Sequence, residues 1–292
     1  LMTALIDEVR KYESSGLVER LSHHKLTSLC IDKNECMGVV VTDIRTGVEY
    51  SFSGAVILAC GGMNSLFPGL TTGTVLNTGD VTAEAFYRGV ELANLEFIQY
   101  HPTTVAIPGK RCLISEAARG EGGRLYIIKN GKLWYFMEEK YPEYGNLMPR
   151  DVVSREIESV RKESDCEDKV YLNMTELPKD VWSSKLSDLR KECIEFLGID
   201  PAKEPIEVSP GIHYFMGGID TDEFHRTNLK NLYAAGECTC QYHGANRLGG
   251  NSMLGALYGG RKSAETISQN FTEIPEVQEI SGTDDIPPAS PA

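Results

Sequence analysis

The chain has 292 residues, 41% of them hydrophobic, which is enough to bury a substantial core in one large domain or two of ordinary size. Its formal net charge of −13 argues against nucleic acid or an anionic membrane as a partner, although arginines that cluster locally could still bind a small anion. The apolar runs are too short to cross a bilayer and no signal peptide is visible, so we expect no direct membrane insertion and a cytoplasmic location, or attachment to a membrane through a partner.

The chain opens in a helical pattern and continues as strands. Residues 1–12, LMTALIDEVRKY, have apolar positions at helical spacing. Four strands are then predicted in HKLTSLCID, ECMGVVVTDI, VEYSFSG and AVILAC, with glycine, asparagine and aspartate at the breaks. The fourth is predicted to be a buried strand that ends in Gly61 and Gly62. Paired glycines suit close approach of the backbone to a ligand at the carboxyl edge of an α/β sheet, and a simple tight turn explains them equally well.

A helix is predicted next, within TGDVTAEAFYRGVELANLEF. Asp80 precedes its apolar positions as an N-cap would, so a capping role and a ligand contact are both open for this residue. The apolar positions that fit one face of this helix are Ala83, Phe86, Val90 and Ala93.

The middle of the chain, about residues 104–208, differs from its flanks. Acidic and basic residues interleave, YIIKNGKLWYF predicts a hairpin with Asn-Gly at its turn, and several short amphipathic helices follow. Beyond it, NLYAAGE predicts a strand and SMLGALYGGRKSAETI a helix. These patterns predict an α/β domain in two pieces, 1–103 and 209–270, interrupted by an α+β unit; the acidic, proline-rich residues 271–292 are predicted to be a linker or tail.

No metal site is predicted. The eight cysteines include no CxxC pair, and no pair of histidines or cysteines has the usual separation of zinc ligands. We therefore expect reduced, mostly buried thiols. The GxSxG, Walker and GxGxxG patterns are absent as well.

Five polar motifs stand in apolar surroundings: QYHPT, SEAARGEGG, PRDVV, GIHYFMGG and HGANRLGG. Each alone has an ordinary explanation, since an arginine in a helix is usually exposed or paired and a histidine beside proline usually makes a structural hydrogen bond. The planar fork of arginine suits bidentate binding of a carboxylate, and imidazole adds directed donors. Two histidines and two or three arginines that converge would suit a dicarboxylate.

In this order, the motifs resemble those of the flavoprotein subunits of the succinate dehydrogenase and fumarate reductase family, with L-aspartate oxidase as a close relative. The resemblance covers about residues 1–270. It implies FAD as cofactor and hydride transfer between FAD and a four-carbon dicarboxylate, with an electron-transfer partner protein. MGG and RLGGNS favour a fumarate reductase-like or succinate dehydrogenase-like oxidoreductase, whereas SEAARGEG and PRDVVSR also fit L-aspartate oxidase, which remains the alternative.

The resemblance implies a role for individual residues in each motif. Arg150 would be the proton donor or acceptor, and Glu116 and Arg119 would supply its proton. The helix that begins near Ser252 would direct its positive end at the flavin ring. The substrate-binding residues would be His101, Ser115, His213 and Arg247. The cofactor-binding residues would be Ala59, Gly61, Gly62, Asp80, Glu237, Ser252 and Met253.

Two parts of the family pattern have no counterpart in the sequence: the amino-terminal βαβ unit with its glycine-rich FAD fingerprint, and the carboxy-terminal helical region. The resemblance therefore implies a fragment, in which a partial, discontinuous FAD-binding domain (1–103 and 209–270) is interrupted by a capping domain (104–208). A folded capping module with no activity of its own is the third interpretation.

Overall fold

The computed structural model describes residues 1–270, so the predicted linker or tail at 271–292 lies outside the described residues. Its helices are α1 (Met2–Ser14), α2 (Asp80–Tyr87), α3 (Ala117–Gly120), α4 (Phe136–Lys140), α5 (Arg150–Val160), α6 (Lys179–Ser183), α7 (Ser187–Glu192) and α8 (Asn251–Asn270). Its strands are β1 (His24–Asp32), β2 (Glu35–Asp43), β3 (Glu49–Ser53), β4 (Val56–Leu58), β5 (Leu92–Ala93), β6 (Ile98–Ile107), β7 (Lys110–Leu113), β8 (Arg124–Lys129), β9 (Lys132–Trp134), β10 (Cys166–Asn173), β11 (Ile206–Phe215), β12 (Gly218–Ile219) and β13 (Leu232–Ala234).

The first three strands form an antiparallel sheet in the order β1-β2-β3, and all three lie where the sequence predicted them. β4 is shorter than the predicted strand, and the prediction that it is buried is wrong for most of its length. Leu58 is buried, but Ile57 is 39% exposed. The reason is that β4 pairs with β13 alone in the described part of the chain, in parallel, with Leu58 opposite Ala234.

Helix α2 confirms a helix in the predicted segment but corrects its length and its buried face. It ends at Tyr87, and Gly89 follows with φ of +86°, a conformation that commonly stops a helix. Ala83 and Phe86 are exposed, whereas Ala85 is buried, because β1 and β12 pack against the opposite side of the helix. Periodicity alone did not identify that side.

The largest sheet has six antiparallel strands in the order β7-β6-β11-β10-β8-β9. At its edge, Asn130 and Gly131 have φ of 51° and 72°, and two such positive values are what a type I′ turn requires, so the Asn-Gly hairpin is confirmed. Near the other edge, β6 pairs with β11 from Thr104 opposite Ser209 to Ile98 opposite Phe215. The two strands themselves run across both predicted domain boundaries.

Two separate hydrophobic clusters form the core. One lies between the six-stranded sheet and the middle helices and includes Phe136, Ile157 and Leu172. The other joins the early strands to β12 and β13 and includes Leu29 and Leu232. The boundaries at 103/104 and 208/209 stay a prediction, since β6 and β11 cross them without a break.

Strand β13 lies within the predicted segment NLYAAGE, and helix α8 covers the predicted helix SMLGALYGGRKSAETI and extends beyond it at both ends. The eight cysteines are all free and five are buried, as the sequence predicted. Within residues 1–270, no helix has both the length and the apolar character needed to span a bilayer.

Replacing Phe136 with alanine tests the cluster beneath the six-stranded sheet. The side chain is fully buried, so Phe136→Ala should lower the free energy of unfolding by about 3–5 kcal/mol through lost burial and the cavity left behind. Urea denaturation followed by circular dichroism measures the change. Leu133→Ala, at a 58% exposed position three residues earlier, should alter it by less than about 0.5 kcal/mol. Equal effects of the two substitutions would contradict the packing.

Candidate active site

Two predicted histidines meet on the paired strands β6 and β11. Successive side chains of a strand alternate between its faces, so Gln99, His101 and Thr103 share one face of β6, and all three are buried. On β11 the register shifts between Ile212 and Tyr214, so His213 is an extra residue in the pairing. Such a bulge redirects a side chain, and the two imidazole rings lie edge to face with centroids 5.3 Å apart.

Both imidazoles are held neutral at pH 7. Burial lowers the pKa of His213 to about 4, and the nearby charges of Arg150 and Arg247 act in the same direction. Burial also lowers the pKa of His101 well below its ordinary value, again with a contribution from Arg150. Thr72 fixes one of the rings, since its Oγ1 lies 2.8 Å from His213 Nδ1. A neutral imidazole can donate one hydrogen bond without itself adding positive charge.

A carboxylate shared by two arginines stands beside the histidines. Arg150, the first residue of α5, donates from Nη2 to Glu116 Oε2 at 2.8 Å. Arg119 of α3 donates from Nη2 to Glu116 Oε1 at 3.0 Å and from Nη1 to the carbonyl oxygen of Asn146 at 2.5 Å. Glu116 lies three residues before Arg119, which puts the pair on one side of a helical turn. The structure therefore joins the three residues predicted to move a proton.

The two guanidiniums keep Glu116 ionised. Burial by itself would raise the pKa of this carboxyl, but the hydrogen bond from Arg150 and the charges of Arg150 and Arg119 outweigh burial and lower the pKa below its ordinary value. In turn, burial lowers the pKa of Arg119. The cluster is thus a chain of charged hydrogen bonds in a desolvated place, where such bonds are stronger than in water.

Arg247 is a buried cation without a carboxylate partner among the described residues. It is 3% exposed, its Nη1 donates to the carbonyl oxygen of Leu248 at 3.2 Å, and its guanidinium lies 4.5 Å from the centre of the Tyr214 ring. Its Nε is buried without any acceptor. Since an unpaired buried charge is costly, the position of Arg247 favours an anion beside it.

Gln99, which the sequence analysis did not select, connects the two arginines. Its Oε1 accepts from Arg150 Nη1 at 3.1 Å, and its Nε2 donates to the carbonyl oxygen of Arg247 at 2.6 Å. Nε2 also donates to Asn246 Oδ1 at 3.1 Å, and Asn246 Nδ2 donates to Asp151 Oδ1 at 2.8 Å. The signal was available, because Gln99 is the first residue of the QYHPT motif and stands two residues before His101, a spacing that puts both side chains on one face of a strand.

The HGANRLGG loop touches the Glu116 cluster directly through a glycine. A Cβ at Gly249 would collide with Glu116 Oε2, so no larger residue fits there without movement. Ser115, by contrast, is exposed, and its Oγ accepts only from the N–H of Ala117 at 3.3 Å. The structure does not bring the Ser115 hydroxyl into contact with the buried histidines and arginines.

Most of the predicted cofactor residues lie at the ends of neighbouring elements. Gly61 follows β4 with φ of +75°, and a Cβ at Gly62 would lie 2.6 Å from Glu237 Oε1. Glu237 Oε1 accepts from the N–H of Phe215 at 3.0 Å, and burial raises the pKa of Glu237. Of the predicted residues in this region, Ala59, in the segment after β4, and Met253, in the first turn of α8, are exposed, whereas Gly61, Glu237 and Ser252 are partly buried.

Asp80 stands apart from those residues. Gly79 occupies the N-cap of α2, so of the two roles left open for Asp80, the capping role is wrong by one position. Asp80 lies in the first turn, where a negative charge is favourable, and forms an ion pair with Lys25 at 2.6 Å.

Comparison with known proteins identifies relatives of the chain as a whole. The succinate dehydrogenase flavoprotein subunit of Bacillus subtilis (strain 168) is 42% identical over 266 residues, which are 89% of this chain and 45% of that protein. The L-aspartate oxidase of Clostridium acetobutylicum is 37% identical over 275 residues, 92% of this chain and 59% of that protein. A solved FrdA mutant of the E. coli quinol fumarate reductase aligns with a TM-score of 0.81 and 31% identity over 89% of this chain and 47% of that one.

The chain spans about half the length of the curated relatives it matches. The model of the family described as "FAD binding domain" matches residues 1–253. These matches confirm the family predicted from the motifs, its α/β fold class and FAD as its cofactor. The protein is therefore a member of the FAD binding domain family, in which its relatives include the flavoprotein subunits of succinate dehydrogenase and fumarate reductase.

Proposed function

We propose that the chain carries the substrate side of an FAD-dependent oxidoreductase that interconverts fumarate and succinate. The observation that carries the proposal is a charge imbalance. Three guanidiniums, those of Arg119, Arg150 and Arg247, are buried, but among the described residues a single carboxylate, Glu116, pairs with Arg119 and Arg150, and Arg247 has no carboxylate partner. The excess is two positive charges, and a dicarboxylate brings two negative ones.

Substrate binding would divide between the unpaired arginine and the neutral histidines. Arg247, with its unsatisfied Nε, would hold one carboxylate, because a planar guanidinium donates two parallel hydrogen bonds to it. His101 and His213 would donate to the second carboxylate, which their neutral state permits. Holding both ends of a four-carbon substrate orients the central carbons, which lowers the entropic part of the barrier.

Arg150 would move the proton. Bound FAD supplies the chemistry of hydride exchange with one central carbon of the substrate. Arg150 would donate a proton at the adjacent carbon during reduction, and Glu116 with Arg119 would return one to it along the hydrogen bonds of 2.8 and 3.0 Å. Arginine is a poor acid in water, so a desolvated position such as that of Arg150 is a requirement for this role.

The residues assigned to the cofactor fit FAD. The first N–H groups of a helix have no intrahelical acceptor and carry the positive end of its dipole, and α8 begins after Gly249 and Gly250 with no acidic residue in its first turn. Nothing lies within 4 Å of a Cβ placed at Gly250, so this end of α8 leaves space for a group to approach. Ser252, Met253 and Glu237 would hold the flavin beside it, and Ala59, Gly61, Gly62 and Asp80 would contact other parts of FAD.

The reaction also needs a route for electrons. The relatives are named as flavoprotein subunits, which supports an electron-transfer partner protein, and through it a peripheral place at a membrane. The match to L-aspartate oxidase supports a second candidate substrate, because L-aspartate is also a four-carbon dicarboxylate. Assays with fumarate, succinate and L-aspartate separate the two activities, and absence of all three would leave a non-catalytic capping module.

Substitution of Arg150 tests the proton-transfer role. In protein loaded with FAD, Arg150→Lys and Arg150→Gln should lower kcat for fumarate reduction by about 10²–10⁴-fold, the usual contribution of a positioned acid, while the bound flavin spectrum stays. The assay uses reduced benzyl viologen as electron donor. Arg155→Lys, an exposed arginine on the same helix, is the matched control and should retain turnover. Wild-type kcat in Arg150→Gln would remove Arg150 from its assigned role.

Substitution of Arg247 tests the carboxylate clamp. Arg247→Ala should weaken fumarate binding by roughly 2–5 kcal/mol, because it removes a buried partner of a carboxylate. Titration of the flavin absorption bands with fumarate gives the dissociation constant. Arg226→Ala, which removes an arginine paired with Asp222 at the surface, should leave that constant unchanged. Equal dissociation constants for Arg247→Ala and wild type would place Arg247 outside the clamp.

The neutral state of His213 can be observed directly. Long-range ¹H–¹⁵N NMR should give its imidazole a pKa of about 4, with the resonance assigned by its absence in His213→Gln. Because the folded-state pKa lies below the ordinary 6.5, the unfolded chain binds a proton that the folded one does not between these values. His213 therefore reduces stability as pH falls from 6.5 towards 4, and His213→Gln should lose less stability over that window. A His213 resonance that titrates near 6.5 would contradict burial as the cause.

A further inference from the structure

A cavity lies between α5, β6 and the HGANRLGG loop. Its volume is about 730 Å³, which is in the range of small-molecule sites. One wall is the face of α5 that carries Asp151, Ser154 and Glu158, and the opposite wall comes from β6 and from Ala245 in the HGANRLGG loop. None of the residues assigned to substrate or proton transfer lines it.

Two polar groups of this cavity have no partner within residues 1–270. Ser154 is 8% exposed, and its Oγ is buried without a hydrogen bond, although a buried hydroxyl normally finds one. Lys162, just beyond the end of α5, also lines the cavity, and its Nζ makes no hydrogen bond or ion pair there. The cavity wall thus contains an ammonium group and a hydroxyl group that have no partner among the described residues.

The other charges of the cavity are already neutralised. Asp151 pairs with Arg155 at 2.8 Å, and Glu158 pairs with Arg161 at 2.9 Å. Arg161 is shared with Asp168 at 2.8 Å, and the exposed Lys162 ammonium itself forms no ion pair among the described residues. Between the polar ends, the lining is apolar or aromatic, from Ile98, Tyr100, Pro210 and Ala245.

We propose that this cavity is a second ligand site, which binds a small carboxylate with an apolar or aromatic body. The carboxylate would pair with Lys162, the body would pack on Tyr100 and Pro210, and a polar substituent could satisfy Ser154 Oγ. The site is separate from the dicarboxylate clamp, which offers arginines and histidines and no comparable apolar surface between them.

A ligand in this cavity would contact side chains that also belong to the hydrogen-bond network of the candidate active site. Gln99 and Asn246 form part of its wall; Gln99 links Arg150 to the backbone of Arg247, and Asn246 accepts a hydrogen bond from Gln99. A ligand that shifts them would alter fumarate affinity, and fumarate would alter the affinity of that ligand by the same factor. This coupling rests on the proposed function, whereas the binding site itself does not.

Isothermal titration calorimetry with 4-phenylbutanoate, which has one carboxylate and one aromatic ring, tests the site. We expect saturable one-to-one binding that persists when fumarate is saturating. Lys162→Met should weaken it by about tenfold or more, the effect of losing one charged hydrogen bond. Ser159→Trp, at an exposed position on the rim, should abolish binding by filling the cavity. Lys132→Met, which removes an exposed lysine from the β8–β9 hairpin, is the matched control and should bind as wild type.

Three outcomes would overturn the proposal. The first is no saturable heat with the folded protein. The second is complete displacement of the probe by fumarate with one-for-one competition, which would place the probe in the dicarboxylate clamp. The third is equal binding by Lys162→Met, Ser159→Trp and wild type, with circular dichroism confirming that the variants are folded. Fumarate turnover plays no part in this titration, so failure of the proposed enzymatic function would leave its result intact.

Discussion

The antiparallel pairing of β6 with β11 is the constraint on which the rest of the molecule depends. These two strands lie side by side although their paired residues stand more than a hundred positions apart in the chain, and the intervening residues form most of the cluster that contains Phe136 and Ile157. The same pairing brings His101 next to His213 and places Gln99 beneath the HGANRLGG loop. Loss of the pairing between β6 and β11 would separate the two hydrophobic clusters. It would also move the residues of the candidate site apart.

Electrostatics then determines what the site can hold. The candidate site contains three buried arginines, Arg119, Arg150 and Arg247. Among the described residues one carboxylate, that of Glu116, forms ion pairs in this group. The protein as a whole is strongly acidic, with a formal charge of −13, so the local excess of positive charge at the site is opposite in sign to the net charge of the chain. Because these arginines are buried, their excess positive charge costs more free energy than it would at the surface, and neutralisation by an anion stabilises the site more.

Predictions from the sequence succeeded where the interaction that decides the structure is local. The Asn-Gly turn, β1 to β3 and α8 all lie where residue type and periodicity put them, because turn conformation and helical spacing act within a few residues. The predictions failed where the structure depends on contacts with residues that are distant in the sequence. Ile57 is exposed because β4 has a single neighbouring strand in the described residues, and the buried side of α2 is set by β1 and β12.

The sequence by itself determined the family, its cofactor and the residue types of the site, because ordered motifs such as SEAARGEGG and HGANRLGG carry that information without any coordinates. Only the tertiary structure decided which of those groups meet. It joined Glu116 to both Arg119 and Arg150, and it left Ser115 outside. It also revealed Gln99 as the link between Arg150 and Arg247, because hydrogen bonds between residues 51 and 148 positions apart depend on how the strands pack rather than on any spacing in the chain.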